Sequence, residues 1–111
     1  MRASEVRPKD WLWHENYPIR ILFESEEENY SIIWGKYQNT RALGVRWNGG
    51  TERGYPGQGG HPTWYVEPDF ISIVILQRLQ ILAIESGDLQ FWDNIEFAIS
   101  ELKDKMNDLN S

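Results

Sequence analysis

The chain has 111 residues, no cysteine and a formal net charge of −6. A chain of that length builds one core of ordinary size and not a second. The missing cysteine excludes disulfides, thiolate metal ligands and a thiol nucleophile.

Hydrophobic residues make up 41% of the chain and charged residues 25%, the composition of a folded protein. Up to Glu67 there are eight Lys or Arg against nine Asp or Glu, and from Pro68 onward three against eight. The C-terminal part therefore reads as an acidic layer. The basic residues do not cluster, so nucleic acid is not an expected partner. Met1 to Asp10 is polar and carries no signal peptide. The longest apolar run, Phe70 to Ile84, is interrupted by Gln77, Arg78 and Gln80 and is shorter than the ~20 residues of a spanning helix. A cytoplasmic protein with no membrane partner is expected.

In chain order, Met1 to Lys9 reads as a loose polar arm. Asp10 is placed to cap a short helical turn through Trp11, Leu12 and Trp13, which Pro18 then stops. Ile19 to Glu24 alternates and suits a strand. Glu26, Glu27, Glu28 and Asn29 read as an exposed turn; their spacing lacks the Gly-punctuated alternation of a Ca²⁺ loop. Ser31 to Tyr37 is a second strand, Gln38-Asn39-Thr40 a turn, and Ala42 to Asn48 a third strand. A glycine-rich loop follows over 49–62, holding six of the nine glycines, and leads into a fourth strand at Thr63 to Glu67. Pro68 suits the first turn of a helix, with Glu67 or Asp69 as cap. Apolar residues from Phe70 to Ile84 fall nearly all round a helical wheel, which predicts a helix buried on more than one side. The β-branched residues Ile71, Ile73, Val74 and Ile75 leave a strand as an alternative there. Gly87 ends that helix and Asp88 caps the next, whose apolar stripe is Leu89, Trp92, Ile95, Ile99, Leu102, Met106 and Leu109.

The predicted fold is a single α+β domain over residues 1–111. It is a four-stranded antiparallel meander covered on one face by a helical hairpin at 68–109. Alternation assigns Ile19, Ile21, Phe23, Ile32, Trp34, Leu43, Val45, Trp47, Trp64 and Val66 to the covered face. Ile33, Gly35, Tyr37, Ala42, Gly44, Arg46, Tyr65 and Glu67 fall on the open one. Glycine in strand interiors marks close approach of something else. Gly35 and Gly44 would then floor a shallow depression rimmed by Tyr37, Arg46 and Tyr65, or would merely relieve twist.

Candidate chemistry is sparse. The loop lacks a Walker Lys-Ser/Thr and the G-x-G-x-x-G spacing, so no nucleotide site follows from it. The two histidines, His14 and His61, have no partners at metal-ligand spacing, and no serine stands in a G-x-S-x-G setting. No catalytic residue, metal or cofactor is assigned. The expected contact residues are Tyr37, Arg46 and Tyr65 on the open sheet face, Tyr55 and His61 on the glycine-rich loop, and Trp47, Gln58 and Trp64, with His61, lining a pocket between loop and helices.

The stretches ALGVRWNGG and GYPGQGGHPTWYVEPDF together resemble a motif pair of short bacterial proteins of unknown function carried on mobile elements, including integron gene cassettes. The likeness spans roughly Tyr30 to Leu82. It rests on Leu43, Gly44, Arg46, Trp47, Asn48, Gly54, Tyr55, Pro56, Gly59, Pro62, Thr63, Trp64, Pro68 and Phe70. The resemblance implies a bacterial, cytosolic accessory protein and brings no activity with it. Three functions stay open: a non-enzymatic interaction module, working as a homodimer; a small-molecule binder or small enzyme with a pocket at the glycine-rich loop; and an acidic inhibitor docking on a basic partner through the last helix.

Overall fold

The turns set the architecture. In the computed structural model, which describes residues 2–12, 17–49, 53–58 and 61–110 (the side chains of Gln58, Leu109 and Asn110 excepted), Asn29, Gln38 and Asn39 all adopt positive φ. Short polar side chains tolerate that region best, and two such residues in succession close a tight hairpin whose twist matches its strands. Strands β1 (Arg20–Ser25), β2 (Tyr30–Tyr37) and β3 (Thr40–Trp47) thus pair antiparallel in succession. The glycine-rich segment then forms a small hairpin of its own, β4 (Gly57–Gln58) with β5 (His61–Pro62). The chain returns to the main sheet as β6 (Tyr65–Glu67) beside β3, completing the order β1-β2-β3-β6.

Helix α1 (Asp69–Ser86) and helix α2 (Leu89–Asn110) follow, so the segment around Ile71 to Ile75 is helical. Pro68 is itself the N-cap, with extended backbone and no side-chain cap. Gly87 ends α1 in the left-handed region at φ 71°. The Asp88 carboxylate accepts from the amides of Gln90 at 3.0 Å and Phe91 at 3.1 Å, capping α2. The two helices pack on one face of the sheet, where Leu22, Ile32, Trp34, Leu43 and Val45 meet Leu76, Leu79, Ala83, Ile95, Ala98, Ile99 and Leu102. The fold is therefore α+β, an antiparallel sheet carrying a helical hairpin.

The face assignment needs three corrections. A register shift between Ile21 and Phe23 turns Leu22 into the helical core and leaves Ile21 partly exposed; Ile19 packs against the opposite face. In β6 the assignment is reversed. Tyr65 stands opposite Val45 and Glu67 opposite Leu43, so both share the helix side, while Trp64 and Val66 join the other side. A strand of three residues takes its orientation from its neighbour, and a one-residue slip exchanges its faces. Third, Trp47, expected under the helices, is 53% exposed.

The face floored by glycine is not open. The expected loose arm and capped helical turn form instead a short 3₁₀ turn at Ala3–Glu5 and a second turn, closed by Trp11 N donating to Pro8 O at 3.1 Å, laid across the sheet. Ala3, Val6 and Trp11 are buried there with Ile33, Ala42 and Trp64. Near Trp11, Leu12 donates its amide to Lys36 O at 2.8 Å and Gln38 donates to Asp10 O at 2.8 Å. The arm thereby occupies the side of β2 past the point where β1 begins, at the Arg20–Trp34 pair. A Cβ built on Gly44 would lie 2.9 Å from the Trp11 ring, and one on Gly35 would collide with Ile19 and touch Trp11. Gly44 makes room for the chain's own indole and Gly35 for Ile19. Trp13 and His14 lie outside the described residues.

Candidate functional site

The eight expected contact residues separate into three groups. Tyr37, Arg46 and Trp64 belong to the arm-covered face. Tyr37 packs on Trp11 with ring centroids 5.6 Å apart. Trp64 is buried and donates its indole N–H to Val6 O at 2.9 Å. Both therefore hold the arm.

Arg46, expected at a rim, is 1% exposed. Its Nη1 donates to Thr63 O at 2.6 Å and to Pro56 O at 3.4 Å, and its Nη2 to Arg53 O. Its guanidinium also lies over the Trp64 ring, 5.9 Å from the centroid. Burial pulls its pKa below the ordinary arginine value. Because guanidinium carries five donors in a fixed fork, one side chain gathers three loop carbonyls. Gly54 makes this possible, since at φ 75° a Cβ there would strike Trp47 O and crowd the Arg46 guanidinium. Arg46 is a staple for the loop, not a contact residue.

The second group lies at the loop. His61 is exposed and lines, with Pro62 and Thr63, a surface cleft of about 570 Å³ shared with Glu5, Arg7, Lys9 and Asp10 of the arm. The Gln58 side chain, and Gly50, Gly59 and Gly60 of the same loop, lie outside what is described. Among the described residues, no group of three or more His, Asp and Glu is placed to hold a metal ion.

The third group is the one the fold brings together. Trp47 and Tyr55 pair across a β-bridge, Trp47 N donating to Tyr55 O at 2.7 Å and Tyr55 N to Trp47 O at 3.0 Å. Trp47 is also directly opposite Tyr30 in the β2–β3 register, and Tyr65 stands opposite Val45 two residues away. Paired residues share a face. Tyr30, Trp47, Tyr55 and Tyr65 therefore form an aromatic row on the helix side of the sheet, beyond the part the helices cover. Tyr30 is the member that reasoning from the sequence missed. The two-residue turn at Gln38-Asn39 was the available signal, because it places Tyr30 opposite Trp47.

A larger surface was also missed. Helix α1 buries Ser72, Leu76, Leu79 and Ala83. On its other side Phe70 is 70%, Val74 60%, Ile81 47% and Ile84 65% exposed. These four, with Gln77 between them, recur at spacings of four and three, the seam spacing of paired helices. The expectation of burial on more than one side is corrected: α1 is buried on one side and exposes an apolar stripe on the other.

Helix α2 differs. Arg41 of β3 pairs with Glu101 at 3.3 Å, Asp104 at 3.1 Å and Asp108 at 3.4 Å, and Lys105 pairs with Asp69 at 2.8 Å. Gln80 of α1 donates to Glu96 at 2.7 Å. Glu96, Glu101, Asp104 and Asp108 of this helix are thus paired within the chain, with Asp104 and Asp108 still largely exposed. Among the described residues no helix is long and apolar enough to cross a membrane. No protein family model matches the chain, nor does any curated protein or solved structure.

Proposed function

We propose that this chain is a small non-enzymatic interaction module, working in the bacterial cytoplasm as a homodimer whose copies meet through the outer face of α1. One observation carries this reading: a helix with an apolar seam on each side, of which the chain itself covers one. Along the stripe from Phe70 to Ile84, with Ile71 beside it, five large apolar side chains are exposed on one helix face. A contiguous apolar stripe of that kind, unlike scattered surface residues, marks an interaction surface. The stems of Gln77 and Arg78 extend it.

A second copy is the occupant favoured by charge. At a net charge of −6, two copies repel wherever acidic surfaces meet. Helix α1 carries only Asp69, Arg78 and Glu85 among its charged residues, and Asp69 is already paired with Lys105. It is the element that two acidic chains can bring together at least electrostatic cost.

The test is sedimentation equilibrium of the wild type and of a Val74→Glu/Ile81→Glu double variant. The expected result is a wild-type dimer and a monomeric variant with unchanged far-UV circular dichroism. A wild type that stays monomeric at high micromolar concentration, or a variant that remains dimeric, overturns the reading.

A further inference from the structure

Phe23, Glu28, Tyr30 and Trp47 line a surface cavity of about 330 Å³ at the end of the helical layer. Tyr30 and Trp47 meet edge to face, with centroids 4.7 Å apart and planes at 71°, so they form two walls of a corner. The register shift in β1 pairs Phe23 with Ile32 and puts its ring on the same side. Glu28 is brought over by the turn that Asn29 closes at φ 56°, and its amide is held by Ser25 Oγ at 3.0 Å. Among the described residues, no Lys or Arg lines the cavity. Burial, and then the negative charge of Glu67, raise the Tyr30 pKa above the ordinary tyrosine value.

Ring faces carry negative potential and offer no directional ligand. Such a corner discriminates against compact inorganic cations, which keep their water unless oxygen atoms replace it. It favours a bulky, weakly hydrated cation that can rest on the rings while a carboxylate balances its charge. We infer that the corner formed by Phe23, Tyr30 and Trp47, with Glu28 at its rim, binds an alkylated ammonium group. Two sources present that chemistry: a free quaternary ammonium compound, and a methylated lysine side chain on a partner protein. The inference stands apart from the α1 contact, because none of these residues lies on that helix.

Choline and its neutral isostere, in which carbon replaces the nitrogen, are titrated into the isotope-labelled full-length chain. The Trp47 indole N–H resonance is the readout, assigned by its disappearance in Trp47→Leu. Choline is expected to move it saturably at millimolar concentration, and the isostere to bind about tenfold more weakly. Glu28→Gln is expected to weaken choline about threefold, and raised salt to do the same. Tyr30→Ala, with far-UV circular dichroism unchanged, abolishes the shift. For Trp47→Leu, which removes the reporter, isothermal titration reads the loss of binding instead. Equal binding of choline and isostere, choline binding that survives Trp47→Leu, or no saturable shift each overturns the assignment. A trimethyllysine peptide forms the second arm. Tighter binding of the peptide than of choline assigns the site to a protein partner, and the reverse assigns it to a small molecule.

Discussion

Both faces of the sheet hold fully buried side chains, but they are covered very differently. Trp34 and Leu43 on one face, and Ile33 on the other, are all fully buried. The first face is roofed by helices of 18 and 22 residues. The second is roofed by an arm of about a dozen residues with one large ring, Trp11, set over two glycines. A helix covers a full sheet face because its own side chains fill the gap. An extended segment is thinner, so the sheet must be hollowed to receive it. Gly35 and Gly44 are that hollow; Ile19 fills it at Gly35 and Trp11 at Gly44.

Because the arm face concentrates its burial in few residues, single changes there should tell most. Trp11→Ala is expected to cost about 4 kcal/mol, near the upper range for deleting a core aromatic, since the arm also loses its anchor. Leu43→Ala, the control beneath the helices, is expected to cost about 3 kcal/mol. Urea denaturation with intrinsic fluorescence ranks the two, and a clearly larger loss for Leu43→Ala would break the comparison. Gly44→Ala sharpens it. The added methyl meets the Trp11 ring and is expected to cost about 2 kcal/mol by overpacking. In a Trp11→Ala background the same change should cost clearly less, because only the tight approach to Ile33 Cγ1 at 3.0 Å remains. Additive losses in that double-mutant cycle would mean that Trp11 and Gly44 are not coupled.

The smallest effect belongs to the helix face. Tyr17 receives the Trp34 indole N–H at 3.1 Å and donates to Glu101 at 2.6 Å. Burial, then the hydrogen bond to Glu101, raise its pKa well above the ordinary tyrosine value. The folded state thus holds this proton where the unfolded chain releases it, near pH ~10. Its contribution is complete below that pH and fades as pH rises toward the folded value. Tyr17→Phe should cost about 1 kcal/mol at neutral pH and flatten the alkaline fall in stability. Thermal melts between neutral and strongly alkaline pH would show it, and an unchanged alkaline slope would count against the assignment.

The elements were legible because their signals are local. Alternation marks β2 and β3, and spacings of three and four mark α2. Gly87 and Asp88 mark the break between the helices. The arm was not legible. Ala3 and Val6 are small and isolated in a polar stretch, and their burial depends on holes in strands far along the chain. β6 was misassigned because three residues cannot impose a register. At the candidate site, Tyr55 and Tyr65 are exposed, Tyr65 on the face opposite to the one expected, whereas Trp47 stays on its expected face but is exposed there instead of covered. Arg46 was read as a rim residue because a charged side chain is ordinarily solvated. Nothing in its own sequence neighbourhood shows that three carbonyls will surround it. The exposed seam of α1 was hidden for the opposite reason, since apolar residues all round a helix carry no label for which side the chain itself covers.

That convergence of carbonyls on Arg46 ties the glycine-rich segment to the sheet through a single side chain. A guanidinium stays protonated throughout the physiological range, so neither acidity nor a metal chelator loosens this knot. Backbone protons near Arg53 and Thr63 should accordingly exchange with solvent on the timescale of β3 opening, rather than on that of a free surface strand.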